Sequence, residues 1–256
     1  MKHIHILRAG FLRAGEAHGV TIVIDVIRAF TVAAYAFAGG ASRIWLVRTT
    51  DEAFALRGRE PEALLAGEIG GRLIPGFDFN NSPALMAKAP VAGRLLIQRT
   101  GAGTQGAVNA AHSRYLLICS LVNATATAHY ASMLAAETGE PITLLPTGRP
   151  DETFPETEDD FCADYLEALI TGREDAPQLL ADRIARLRQG RFPQWEQGNE
   201  QDFPFEDIEK VLNADRFHFA MAGTRQEWHG ITYVEAKRVD LVIPHKPARD
   251  SSLRSE

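Results

Sequence analysis

Asp25 and Arg28 stand where a run of apolar and β-branched residues that begins at Val20 gives way to an alanine-rich stretch. A carboxylate and a guanidinium at such a junction can serve a charged ligand, or can close the turn as a structural ion pair. Glu68 follows Gly67 and precedes a glycine-containing loop. Thr100-Gly101-Ala102-Gly103-Thr104 offers hydroxyls and backbone N–H groups, Ser120 and Asn123 flank Leu121-Val122, and Glu158-Asp159 opens a later helix. Carboxylates, glycine-rich amides, hydroxyls and an arginine together suit a hard cation such as Mg²⁺ with its waters, beside a phosphate group. No paired Ser and His, Cys and His, or His-rich zinc set is evident, so those hydrolase chemistries lack sequence support. His3 and His5 share a face of a short extended stretch and read as surface groups.

For these groups to meet, the strands that end on them must share a sheet edge. Residues 20–24 read as a strand covered on both faces, followed by an alanine-rich helix over 29–38 that Gly39-Gly40 stops. Further hydrophobic strands are expected at 3–7, 43–47, 94–98, 115–119 and 141–145, with helices at 51–57 capped by Thr50, at 105–112, and at 124–137 capped by Asn123. This alternation predicts an α/β class, a three-layer α/β/α architecture around a mostly parallel, mixed sheet. Ligands of such sheets sit outside the carboxyl ends of the strands.

The connections carry the rest. From Gly70 to Asn81 no regular structure is expected, yet Ile74, Phe77 and Phe79 are too apolar for a solvated loop, which predicts that the segment folds over something. Ser82-Pro83 starts a short helix as cap and first residue. Thr100 to Thr104 forms an anion cradle between strand and helix, or a tight turn without a ligand; no Gly-Lys-Ser/Thr follows, so it is not a nucleotide P-loop. Thr157 caps a helix reaching Ile170 and pairs with Asp160 in a capping box, which leaves Glu158 and Asp159 as the acids available for a site. Residues 176–189 read as an amphipathic helix, 190–203 as a polar aromatic loop, 205–212 as a short helix, and 231–234 with 239–243 as an antiparallel addition. One α/β domain is expected over 1–245, with 173–230 a helical and loop addition and 246–256 a flexible tail.

The 256 residues are 45% hydrophobic, enough for a substantial core. A formal charge of −6 and a pI near 5.8 argue against a nucleic-acid partner. Cys119 and Cys162 are distant in sequence and read as buried thiols rather than a disulfide or a metal pair. Without a secretory leader or an apolar window of membrane-spanning length, the expectation is a cytoplasmic protein with no membrane partner.

The order and spacing of Asp25-Val26-Ile27-Arg28-Ala29, Gly67-Glu68-x-Gly70-Gly71, Gly76-Phe77-Asp78-x-Asn80-Asn81-Ser82-Pro83, Gly103-Thr104, Ser120-x-x-Asn123-Ala124 and Glu158-Asp159-Asp160 resemble the 2-phosphosulfolactate phosphatase family. The resemblance implies an α/β/α fold and Mg²⁺-dependent hydrolysis of a small anionic phosphate monoester, 2-phosphosulfolactate or a related phospho-acid, as in coenzyme M biosynthesis. On that reading Asp25, Glu68 and Glu158 or Asp159 hold Mg²⁺. Arg28 with the amides of Gly101 to Thr104 binds phosphoryl oxygens, and Asn81, Ser82, Thr100, Ser120 and Asn123 position the substrate. Asp78 is a general acid or base, or a brace for its own loop. An aspartyl phosphate and direct attack by water both remain open routes, and a homodimer is an admissible assembly. Gly101 and Ala102 depart from the family's Thr and Asn, Asn80 replaces a glycine, and Asp164 replaces another. The rival is a non-catalytic binder of phosphorylated or sulfonated metabolites; a lyase acting on phospho-acids is a third reading.

Overall fold

The computed structural model describes residues 4–148, 156–190, 195 and 200–241. Strand β1 is Ile6–Arg8, and β2, Val20–Ile24, is buried at every residue. Helix α1, Ala29–Ala38, buries all but its last residue, since its many alanines let it approach neighbours on several sides. Strand β3 is Arg43–Val47 and helix α2 is Thr50–Arg59. Thr49, not Thr50, caps α2, because Glu52 three residues on completes a capping box with it.

Strand β4 is Leu64–Ile69, with β5, Arg72–Leu73, folded back against it. The loop after Glu68 is thus not wholly irregular: positive φ at Gly70 and Gly71 makes a tight hairpin. Helix α3, Pro83–Met86, is capped by the Ser82 side chain, which accepts from the Leu85 N–H. Strand β6 is Leu95–Arg99 and helix α4 is Gly103–Asn109, starting and ending earlier than the spacing predicts. Then come β7 Tyr115–Cys119, α5 Ala124–Thr138, β8 Ile142–Pro146, α6 Glu158–Ile170, α7 Ala176–Gln189 and α8 Glu206–Val211. Two ten-residue strands, β9 Phe219–Trp228 and β10 Ile231–Asp240, follow.

The ten strands lie in the order β1-β8-β2-β7-β9-β10-β3-β6-β4-β5. The pairs β1·β8, β8·β2, β2·β7, β3·β6 and β6·β4 are parallel, and the architecture is α/β/α with a mixed sheet. The two short strands expected at 231–234 and 239–243 are instead joined in the single strand β10, paired with β9, a strand the sequence reading does not include. This hairpin is no addition but occupies the middle of the sheet, β9 against β7 and β10 against β3, both antiparallel. Its effect on polarity is large. The β1/β8/β2/β7 group and the β3/β6/β4 group run in opposite local directions, so a flat sheet would send their carboxyl ends to opposite edges.

Twist resolves the conflict. A rotation of about 20–25° per strand pair accumulates to roughly 100° or more over the five steps from β2 to β6. The two groups therefore turn toward each other around α1 and α4. One core joins these helices to Val23 of β2, Ile118 of β7, Leu96 of β6 and Ala66 of β4. The outer face of the first group packs on α5 and α6, and that of the second on α2. Cys119 and Cys162, far apart in sequence, come together between β7 and α6, where burial and the neighbouring thiol raise the Cys162 pKa. Among the described residues no helix is long and apolar enough to cross a membrane. His3, the end of the strand expected at 239–243 and the tail from 246 lie outside the described residues.

Candidate active site

A cavity of about 810 Å³ opens where the two strand groups converge. Asp25 enters it from the exit of β2, Glu68 from β4, Glu158 from the first turn of α6, and Asn81 from the segment before α3. Four separate stretches of chain thus bring oxygen donors to one place.

Asp25 and Glu68 are fixed by backbone N–H groups. Asp25 Oδ1 accepts from the Ala29 N–H at 2.9 Å, at the start of α1. Glu68 Oε1 accepts from the Gly101 N–H at 2.6 Å and Oε2 from the Gly71 N–H at 2.7 Å. A Cβ at Gly103 would lie 2.5 Å from Asp25 Oδ2, so only glycine lets the α4 terminus close on that carboxylate. The glycine-rich turn is indeed a cradle, but it holds the protein's own acids. The Gly101 N–H is engaged by Glu68, the Gly103 N–H lowers the Asp25 pKa, and the Thr104 N–H is engaged by the Thr100 hydroxyl at 3.2 Å. For the Gly101, Gly103 and Thr104 amides the expectation of phosphoryl oxygens is therefore corrected.

The electrostatics match the crowding of acids. Burial raises the Asp25 pKa to about 7, and the negative charges of Glu158 and Glu68 push the same way against the Ala29 and Gly103 N–H groups. Burial and Asp160 likewise raise Glu158. Asp159 is raised well above the ordinary carboxylate range by burial, Asp25 and Glu158. It does not line the cavity, however. Its Oδ1 accepts from the Val26 N–H at 2.7 Å and its Oδ2 from the Thr147 N–H at 3.2 Å, so Asp159 ties α6 to the exits of β2 and β8.

Arg28 differs from its expected role. It is buried, paired with Asp207 at 2.8 Å, and donates to the carbonyls of Asp202 at 2.8 Å and Gly71 at 3.1 Å. Its guanidinium also stacks on Trp195 and Phe203, 5.4 and 4.8 Å from the ring centroids. Arg28 borders the cavity but acts first as a knot binding three segments of the wall. Gly71 shows how tight the knot is: a Cβ there would meet the Phe203 ring at 2.3 Å. Ser82 belongs to the same knot, donating to Asp207 Oδ1 at 2.6 Å rather than facing a substrate.

Other candidates are structural for equally specific reasons. Asp78 Oδ2 accepts from the Leu65 N–H at 2.8 Å and pairs with Arg57 at 3.2 Å, outside the cavity, which is the bracing role. Thr100 borders the cavity, whereas Thr104 is buried behind it, bonded back to Thr100. Ser120 and Asn123 also lie away from the cavity and bond to each other: Asn123 Oδ1 accepts from the Ser120 N–H at 3.1 Å, and Asn123 Nδ2 donates to Thr127 Oγ1 at 3.1 Å. Ser120, not Asn123, supplies the side-chain cap, to the 3-10 turn that precedes α5. Sequence reasoning misses Phe161, Arg186, Trp195 and Phe203, which also line the cavity with Ala102 of the expected cradle. Of these only Phe161 carries a signal, its place three residues after Glu158 on one side of α6.

The donor set fits a hard cation in kind. Asp25, Glu68 and Glu158 supply carboxylate oxygens, and the Asn81 Oδ1 is buried with no hydrogen-bond partner. The cavity-lining Arg28 is already matched by Asp207, leaving the acidic wall without a local counter-charge from it. Among the described residues, no three His, Cys, Asp or Glu side chains are drawn close enough to form a ready chelate.

The sequence has relatives among known proteins. A sequence model of 2-phosphosulpholactate phosphatase matches residues 8–189. A protein of Bacillus subtilis (strain 168) named probable 2-phosphosulfolactate phosphatase is 43% identical over 154 residues, covering 60% of this chain and 64% of that protein. One of the same name from Deinococcus radiodurans is 43% identical over 132 residues, 51% of this chain and 55% of the relative. A third, from Symbiobacterium thermophilum, is 33% identical over 180 residues, 68% and 75% of the two chains. The chain thus spans less than two thirds of the length of the first two of these relatives.

Proposed function

The chain belongs to the 2-phosphosulpholactate phosphatase family, and from that premise we propose that it is a phosphoric monoester hydrolase using Mg²⁺ to cleave a small acidic phosphate ester. The substrate class is 2-phosphosulfolactate or a related phospho-acid, cleaved by water at phosphorus to give the hydroxy acid and phosphate. The observation that carries the reading is the convergence of Asp25, Glu68 and Glu158 from distant parts of the chain on one cavity.

In this mechanism Asp25, Glu68 and Glu158 would hold the cation, with the Asn81 Oδ1 turned to it or to its water, and the Asn81 Nδ2 would donate to an oxygen of the substrate. The chemistry that Mg²⁺ would supply there is positive charge beside the phosphoryl oxygens and a water of lowered pKa. The Ala29, Gly71 and Gly101 N–H groups keep the carboxylates in place, so little reorganisation is needed at reaction. Phe161, Trp195 and Phe203 add aromatic surface to the cavity wall, which strengthens the charge interactions beside it.

The test is phosphate release from synthetic 2-phosphosulfolactate by the full chain. Turnover with Mg²⁺ that disappears with EDTA and returns on adding excess Mg²⁺ supports the proposal. Turnover that persists in EDTA contradicts the metal part. Tight binding of the ester with no phosphate released favours the binder, for which the lack of a polar side chain at cavity-lining Ala102 is the specific support.

A further inference from the structure

Two arginines of α7 stack on the same ring, Phe161, with guanidinium carbons 4.5 Å (Arg183) and 5.2 Å (Arg186) from its centroid. They differ in every other respect. Arg183 is part-buried and pairs with Asp164 at 3.1 Å, and Arg188 one turn on pairs with Glu209 at 3.3 Å. Arg186 lines the cavity, and among the described residues no ion pair joins it to a carboxylate. The ring contact limits where the guanidinium can go without using up its N–H donors. Planar donors held in this way suit a carboxylate, sulfonate or phosphate oxygen pair.

The placement adds direction. Glu158 and Phe161 are three residues apart on α6, so their Cβ atoms lie about 5–6 Å from each other on one side of the helix. Glu158 and Arg186 are thus both neighbours of Phe161, and one cavity of about 810 Å³ presents cation-seeking carboxylates and an anion-seeking guanidinium. The other cavity arginine cannot take this part, since Arg28 is engaged by Asp207 and two carbonyls.

We propose that Arg186, steadied on Phe161, is the subsite for the second anionic group of the substrate and selects phosphate esters that carry a carboxylate or sulfonate over esters that do not. This inference rests on the phosphatase reading above. Its test compares kcat/KM for 2-phospholactate with that for isopropyl phosphate, a similar ester without the second anion, in the wild-type chain and in Arg186→Gln. Because Arg186 is exposed on α7, the fold should survive the change, and an unaltered thermal melt checks this.

The ratio of the two kcat/KM values should fall at least about tenfold in the variant, mainly through KM for 2-phospholactate, the scale of losing one charge-assisted hydrogen bond. An unchanged ratio overturns the subsite. If neither ester is hydrolysed by the wild type, the phosphatase reading fails on its own, and calorimetric titration with sulfoacetate then decides the subsite. Affinity at least about tenfold weaker in Arg186→Gln supports it, and equal affinity in the two proteins overturns it.

Discussion

The two charged regions on the cavity wall are built from the same kinds of residue and end in opposite states. Around Arg28 every charge has a partner: Asp207 receives the guanidinium, the Ser82 hydroxyl and the Ala84 N–H, while Asp202 and Gly71 carbonyls take further donors. Around Asp25 the neighbours of a buried carboxylate are two more carboxylates, Glu68 and Glu158. The first arrangement resists change of partner and shapes the wall. The second leaves negative charge that a cation would relieve, which is how structural and functional charges can be told apart here.

That contrast is sharpest if each region is broken separately. Asp207→Ala leaves Arg28, 3% exposed, as a buried charge without its carboxylate, and should cost about 3–5 kcal/mol of stability in denaturant melts. A cost below about 1 kcal/mol would mean the pair is no knot. Asp25→Asn should do the reverse: phosphate release falls at least about 10²-fold, the scale of one strong electrostatic group, while the melting temperature holds or rises as repulsion is removed. A strongly destabilised Asp25→Asn protein would move Asp25 to the structural side.

The pH dependence of stability carries the same distinction with a smaller effect. Folded Asp25, raised to about 7 by burial and then by Glu158 and Glu68, keeps a proton that the unfolded chain releases near its ordinary carboxylate value. Between those values the folded state binds more protons, so this contribution is fully present at low pH and is lost as pH rises toward 7. In chelator-treated protein the stability should decline over that window by up to about 1.4 kcal/mol per pH unit and proton, and more gently in Asp25→Asn. Parallel profiles for the two proteins would show that the Asp25 charge is not under strain. Smallest of all is Asp78→Asn: the Arg57–Asp78 pair is about one third exposed (34% and 31%), so a stability change within about 1 kcal/mol with undiminished turnover is expected. A large loss of turnover would return Asp78 to the chemistry.

Much of the scaffold was legible because its local signals agree. The run from Val20 to Ile24, the alanines of α1, the Ser82-Pro83 start and the Thr157–Asp160 box each point to one conformation, and the structure has them. Position of the hairpin was not legible, since strand neighbours are chosen by long-range packing; β9 and β10 follow all other strands in sequence yet separate β7 from β3. Asp25, Glu68 and Glu158 were readable as acids at strand and helix ends. Ser120 and Asn123 looked similar, but hydroxyls and amides at such ends can satisfy the backbone locally, and here they do. Trp195 and Phe203 lie in the stretch read as a polar aromatic loop, and Arg186 on the exposed face of an amphipathic helix, where a charged residue gives no signal of a site; only tertiary packing brings them to the cavity.

The central claim is that three carboxylates gathered from β2, β4 and α6 share one cation. Calorimetric titration of chelator-stripped protein with Mg²⁺ addresses it without a substrate, comparing the wild type with Glu68→Gln and Glu158→Gln. One ion per chain should bind the wild type, with affinity at least about tenfold weaker in each variant, the scale of neutralising one carboxylate ligand. Equal Mg²⁺ affinity in all three proteins, or no binding to the wild type, would contradict the account.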